Sequence, residues 1–223
     1  MQPLWYGDRR DRVKWGALIY LAHKYKLPLI VQVAYWHDIK KADRTMEVGD
    51  GRVEPIPEAV WKHFSDLRNI RRLGKRTGKE IIPIDTLFEA RHRQEYVQSV
   101  IDELRRLSKP KLLFLDPDTG IEPKPRSRGP GHVTVQDIER FWGTLRVGEV
   151  LAVYQHAPRE ADWVPDTRQL QSACEGSPVQ RIRAILVARD VALLWVQKKR
   201  RASPGRYSPA RQTSVLSSAQ SRR

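Results

Sequence analysis

Three short segments hold the side chains best able to do chemistry: "YGDRRDRVKW" at 6–15, "DPDTG" at 116–120 and "YQHAPRE" at 154–160. In the second, the apolar run from Leu112 to Leu115 ends abruptly in Asp116 and Pro117, followed by Asp118 and a turn at Thr119-Gly120. A carboxylate at the mouth of a wholly apolar strand is fixed and partly desolvated, which suits proton handling, a metal ion, or recognition of an amino group on a base. The plainer alternative is an Asp-Pro-Asp turn in which Asp118 or Thr119 bonds its own backbone. In the third segment His156 can exchange a proton near neutral pH, Arg159 can grip phosphate with its planar fork, and Glu160 can orient either, with Tyr154 and Gln155 beside them. In the first, Asp8 and Asp11 stand at the start of a helix, where either can cap orphan amide hydrogens at the favourable end of the dipole. Lys14, one turn past Asp11, reads equally as a solvated partner at helical spacing or as a site cation.

Several chemistries are disfavoured by what is missing. No glycine-rich phosphate loop occurs; its expected place after the first strand reads "VQVAYWHDIKKAD". A Gly-x-Ser-x-Gly elbow and a His-Glu-x-x-His pair are absent as well, which argues against triphosphate hydrolysis, serine hydrolase and zinc protease classes. The single cysteine, Cys174, allows no internal disulfide and no cysteine-clustered zinc site.

The elements that must position these groups follow from hydrophobic spacing. Residues 11–25 place Val13, Ala17, Leu18 and Leu21 on one helical face, ending near Pro28. "LPLIVQVAY" (27–35) is a continuous apolar run of the kind found in a sheet covered on both faces. Pro57 opens a second helix with Val60, Trp61, Phe64 and Leu67 on one side. "EIIPID" (80–85) is a short strand, and residues 87–107, with Leu87, Val97, Ile101, Leu104 and Leu107 among many charges, form a long surface helix. The strand "KLLFLD" follows, then a loop over 117–133, a helix over 134–145 and the strand "EVLAVYQH" (149–156). Residues 181–197 are two apolar runs about Arg189-Asp190, too close for a crossover helix, and so an antiparallel hairpin.

Strands alternating with helices and closed by a hairpin predict a three-layer α/β domain, Rossmann-like, with a mainly parallel sheet over residues 1–197. Ligands of such sheets bind beyond the carboxyl ends of the strands, where "DPDTG" and "YQHAPRE" both fall. The formal net charge is +15, but eight of those cations belong to an acid-free Ser/Pro/Arg-rich tail from 198 to 223, leaving +7 for the body. The tail's composition predicts disorder and salt-sensitive affinity for nucleic-acid phosphates, or simple solubilisation. No apolar run reaches about 18 residues, and the amino terminus is charged where a signal peptide is apolar, so the expectation is a cytoplasmic protein with no membrane partner.

Taken together the three segments resemble an uncharacterised prokaryotic family with the patterns GD-x-x-D-x-x-K, FLDPD-x-G and YQH-x-x-RE, here Gly7-Asp8, Asp11, Lys14, then Phe114 to Asp118 with Gly120, then Tyr154-Gln155-His156 with Arg159-Glu160. The likeness spans roughly residues 5–197. The chain is more distantly similar to the class I large-subunit ribosomal RNA adenine-N6 methyltransferases, which open with GN-x-x-D-x-x-K-H and carry a DPPY after an apolar strand. That resemblance implies S-adenosylmethionine as donor, with Asp116 and the Pro117 carbonyl holding a base amino group that has been unstacked into the pocket. The departures are Asp118 and Thr119 where that family has proline and an aromatic, and the missing glycine turn. Three readings remain open: a methyltransferase-like enzyme on nucleic acid; a nuclease or phosphohydrolase holding magnesium or manganese on Asp8, Asp116 and Asp118, with Lys14 or His156 assisting; and a noncatalytic nucleic-acid or protein binding module.

Overall fold

Apolar, β-branched runs bounded by polar residues become the strands of a central sheet because backbone groups buried on both sides need ladder partners. In the computed structural model, which describes residues 9–36, 45–47, 52–60, 66–122, 131–156, 168–174, 183–188 and 191–200, six of them assemble in the order β4-β1-β5-β8-β10-β9. These are β1 (Leu29–Val33), β4 (Glu80–Ile84), β5 (Lys111–Leu115), β8 (Val150–His156), β9 (Arg183–Ala188) and β10 (Val191–Gln197). The first four in spatial order run parallel, and β10 pairs antiparallel with both β8 and β9, as the hairpin reading requires. The fold is therefore the expected Rossmann-like one.

Each strand feeds two cores. On one face Leu29, Val31, Val33, Leu113, Leu115, Leu151 and Val153 pack with α3 (Arg93–Arg106), α4 (Val135–Thr144) and α5 (Arg168–Ala173). On the other, Ile30, Leu112, Phe114, Ala152 and Tyr154 meet α1 (Arg9–Lys24) through Trp15, Leu18, Leu21 and Ala22. Helices on both faces of a parallel sheet make the three layers. No helix among the described residues is long and apolar enough to cross a membrane.

Some boundaries differ from the sequence reading. Val13 is 40% exposed and Leu87 46% exposed; the long helix starts at Arg93, after a short 3-10 turn at Ala90–His92, and Leu87 lies before it in a bridge to Trp36. Val60 is also exposed, and Leu67 is buried in a separate 3-10 turn, Leu67–Ile70, while Trp61 and Phe64 lie outside the described residues. The polar stretch after β1 contains a small antiparallel ribbon, β2 (Thr45–Glu47) with β3 (Val53–Pro55). A second small pair, β6 (Gly120–Ile121) with β7 (His132–Val133), ties down the long loop. The tail beyond residue 200 lies outside the described residues.

Between the 3-10 turn and β4 runs a helix that sequence spacing did not disclose, α2 (Arg71–Thr77). It lies close on the sheet edge because Gly74 has no side chain: a Cβ there would sit 2.5 Å from the Lys79 carbonyl oxygen and 3.2 Å from Ile81. Gly74→Ala is accordingly expected to lift α2 and lower the urea midpoint by the equivalent of about 1–3 kcal/mol, the usual cost of overpacking. An unchanged midpoint would show that α2 is not seated by this contact.

Candidate active site at the carboxyl rim of the sheet

The chain passes from β1 outward to β4 and then returns to β5 on the other side of β1, so strand order reverses between the carboxyl ends of β1 and β5. Open α/β sheets bind ligands at such a reversal. The Asp116 amide donates to the Val33 carbonyl at 3.0 Å, closing the two strand ends together.

There the Lys14 ammonium lies 2.6 Å from Asp11 Oδ1 and donates to both oxygens of Asp116, at 3.2 and 3.1 Å. Gln32, in the middle of β1, donates from Nε2 to Asp116 Oδ2 at 2.8 Å. All four side chains are buried. Lys14 also lies 5.2 Å from the centre of the Tyr154 ring and 5.8 Å from that of Phe114, within cation–π range. Burial pulls the Lys14 pKa down, but the attraction of Asp116 and Asp11 and hydrogen bonds with both outweigh it, so the net shift is upward from 10.5. A lysine raised in the folded state contributes stability that is complete below its unfolded value and is lost only as pH rises through the higher folded one. Lys14 is thus an ammonium throughout the neutral range. It positions Asp116 and does not carry protons, and its pairing is buried rather than solvated as helical spacing alone suggested.

The rest of "DPDTG" and "YQH" meet across adjacent strands. The His156 amide donates to the Thr119 carbonyl at 3.1 Å, and Gln155 Oε1 accepts from the Ile121 amide at 2.8 Å. Gly120 has φ +110°, and a Cβ there would fall 2.6 Å from the Gln155 amide, so only glycine allows this tie. Gln155 is committed to the turn. Thr119 does not bond its own backbone; its hydroxyl donates to the Gly131 carbonyl at 2.7 Å and lies 2.8 Å from His132 Nδ1, where burial lowers the histidine pKa. Asp118 is half-buried and Pro117 buried. The Tyr154 and His156 rings pack edge to face at 6.0 Å. Gly7, Asp8, Arg159 and Glu160 lie outside the described residues.

Where a dinucleotide-binding sheet uses glycines after its first strand, this chain has Tyr35 at φ +47°. The glycine signature is absent, yet the left-handed backbone that glycine makes easy is present. Its strain, of order 1–3 kcal/mol, persists because the ring is wholly buried against Phe88 and Tyr96, with centres 5.1 and 5.5 Å away. Beyond that turn lies a cavity of about 360 Å³ lined by Trp36, Asp66, Leu67, Arg68 and Asp85. Asp85, at the end of β4, accepts from Arg68 Nε at 2.7 Å. An indole and two carboxylates around such a volume suit a nucleoside: a ring to cover the base and acceptors for ribose hydroxyls. Sequence reasoning missed Gln32, whose signal was one amide in an otherwise apolar central strand, and missed Asp85, a carboxylate ending a short strand.

The metal reading fares differently. Among the described residues no three His, Cys, Asp or Glu side chains cluster to hold an ion, and the Lys14 ammonium occupies the space between Asp11 and Asp116. Cys174 is buried, which pushes its thiol up to about 12 and leaves it inert as a nucleophile.

The arrangement defines a mixed α/β protein with its functional groups at a Rossmann-type switch point. No protein-family model matches the chain, and no curated protein matches it. Among solved structures it is similar to one described as a "putative methyltransferase" from Thermobifida fusca YX, with 10% identity over 86% of this chain and 81% of that one at a TM-score of 0.47. It is also similar to a DUF574 family protein from Streptomyces avermitilis MA-4680, with 10% identity over 85% and 82% of the two chains at 0.44. Likenesses this distant leave the function to be read from the chain's own residues.

Lys14→Met would leave Asp11 and Asp116 buried without their cation, and the expected loss is about 3–5 kcal/mol in denaturant unfolding. Adding Asp116→Asn should cost less than the sum of the two single changes, since the partner charge is then gone as well. Strict additivity in that cycle would mean the contact is not energetically coupled.

Proposed function

We propose that this chain is a class I methyltransferase-like enzyme that methylates an amino group on a nucleic-acid base with S-adenosylmethionine as donor. The observation that supports it most is the fixed Asp116 carboxylate, next to Pro117, at the carboxyl end of β5 beside the reversal of strand order. S-adenosylmethionine supplies an activated methyl group when bound. Trp36, Asp66 and Asp85, which line the 360 Å³ cavity, would hold its nucleoside half.

On the substrate side, Asp116 Oδ1 and the Pro117 carbonyl accept the two amino hydrogens and so aim the nitrogen lone pair out of the base plane. Lys14 and Gln32 hold the carboxylate in one rotamer, which is a positioning role. After transfer the methylated nitrogen gives up its extra proton to water at the rim, and Asp116 serves as an acceptor that aims the amino group. Thr119 stands where the resembling family has its stacking aromatic, so covering the base falls to Tyr154 and His156. The moderately basic body agrees with a phosphate-bearing substrate. The magnesium or manganese alternative rests on Asp8 together with Asp116 and Asp118, and Asp8 lies outside the described residues.

The test is calorimetric titration with S-adenosylmethionine, followed by transfer of labelled methyl to single-stranded RNA and DNA. Micromolar binding is expected, weakened at least tenfold by Asp85→Ala, and Asp116→Asn should cut turnover by two or more orders of magnitude while leaving donor binding intact. Folded protein that does not bind the donor at all would sink this reading.

A further inference from the structure

We infer that the groove between α1 and α2 is a docking surface for single-stranded nucleic acid, with phosphates along α2 and a base in the groove; this deepens the nucleic-acid reading above and rests on it. The groove is about 430 Å³, and its walls are mainly apolar: Trp15, Gly16 and Ile19 from α1, then Ile70, Leu73 and Thr77 from the opposite side. Arg12 stands at its rim and Asp11 lines it while also holding Lys14, so the groove adjoins the buried cluster through one shared side chain.

Outside the groove α2 presents Arg71, Arg72, Lys75 and Arg76, all exposed. Among the described residues none of the four side chains makes an ion pair or hydrogen bond, and residues 68–79 include no acid. That pattern is unfavourable for an isolated helix. Arg71 and Arg72 occupy the first turn, where the dipole disfavours cations, and the pairs 71/75 and 72/76 place like charges one turn apart. A merely solvated face would mix signs. Helical geometry, at about 100° per residue, puts Arg72 and Arg76 beside the row of Leu73 and Thr77, flanking the groove on its α2 side while Arg12 flanks it on the other. A row of unpaired cations next to an apolar slot matches a chain of phosphates with bases between them. A protein partner would find the slot but would have to cover four cations.

The surface allows a clean test because its parts can be altered apart from the fold. At Gly16 a Cβ would meet nothing within 4 Å, so a side chain there starts into open space and Gly16→Leu narrows the groove. Binding of a fluorescein-labelled 20-nucleotide single strand to the full chain is measured by anisotropy across a salt series. Arg72→Glu with Arg76→Glu should weaken binding at least tenfold and flatten the plot of log affinity against log salt by about 1.4, the release expected for two lost phosphate contacts on a single strand. Gly16→Leu should weaken binding severalfold with the slope unchanged. The control pair Lys26→Glu with Arg106→Glu, on other exposed faces, should have a smaller effect despite the same change in charge.

Equal losses from the control pair, an unchanged affinity after reversal at 72 and 76, or full binding by Gly16→Leu would each overturn the proposal. S-adenosylmethionine titration of the same variants separates the two claims. Intact donor binding with unaltered strand binding defeats only the groove, whereas no donor binding in the parent chain defeats the enzyme reading.

Discussion

The interaction on which the site depends is a lysine ammonium held between two carboxylates out of reach of water. Lys14 comes from the first helix, Asp11 from the turn before it, and Asp116 from a strand end about a hundred residues later; one contact therefore fixes the helix to the mouth of the sheet. A buried charge of either sign is costly unless each lone pair and proton is met, and here Gln32 meets what Lys14 leaves on Asp116. Hydrophobic residues of the same volume would pack at least as stably. An ionic cluster at a switch point contributes geometry that an apolar core would not, since it holds one carboxylate in a fixed orientation at the mouth of the sheet.

The turn after β1 shows the same preference for a fixed geometry at some cost. Tyr35 adopts a backbone that glycine would adopt freely, and two aromatic rings, Phe88 and Tyr96, hold it there. The ring points into the core below the rim, leaving the crevice edge to Trp36, Asp85 and the turn at Leu67–Ile70. That turn separates two cavities: Leu67 and Arg68 line the polar one, and Ile70 lines the apolar groove on the other side. The fold thus offers a nucleoside-sized space and an elongated slot on either side of a single turn, with the charged cluster close to the second.

Much of this was legible in residue order, for reasons that are themselves physical. Fully buried strands announce themselves as unbroken apolar runs, and two runs joined by Arg189-Asp190 can only form a hairpin. The meeting of "DPDTG" with "YQH" followed from parallel order alone. The same continuity hid Gln32, because a strand covered on both faces has no alternation against which one amide stands out. Val13 and Leu87 misled because a helical period fixes spacing but not where the buried stripe begins. At seven residues α2 is too short to show a period, and its seating on the sheet edge depends on Gly74, whose missing side chain a sequence pattern does not reveal. Tyr35 is the extreme case: nothing about a tyrosine announces a positive φ.

Charge and burial also divide the labour among residues that sequence reasoning had grouped together. Lys14, Asp11 and Gln32 are buried and converge on Asp116, with Asp11 also reaching the wall of the apolar groove; Gln155 and Gly120 interlock to shape the turn; Asp118, Thr119 and His156 remain nearer the surface of the rim. A carboxylate so completely braced can change its bonding only by small displacements, which favours a substrate brought to it over a carboxylate that swings out. Under the proposed function the demand for mobility moves to the substrate: a base would have to leave its stack to reach Asp116, and a strand already single and held by its phosphates along a neighbouring helix would lose less in doing so. On that reading the rigidity of the buried ion cluster and the exposed cations of α2 answer one requirement, that the protein stay still and the nucleic acid do the bending.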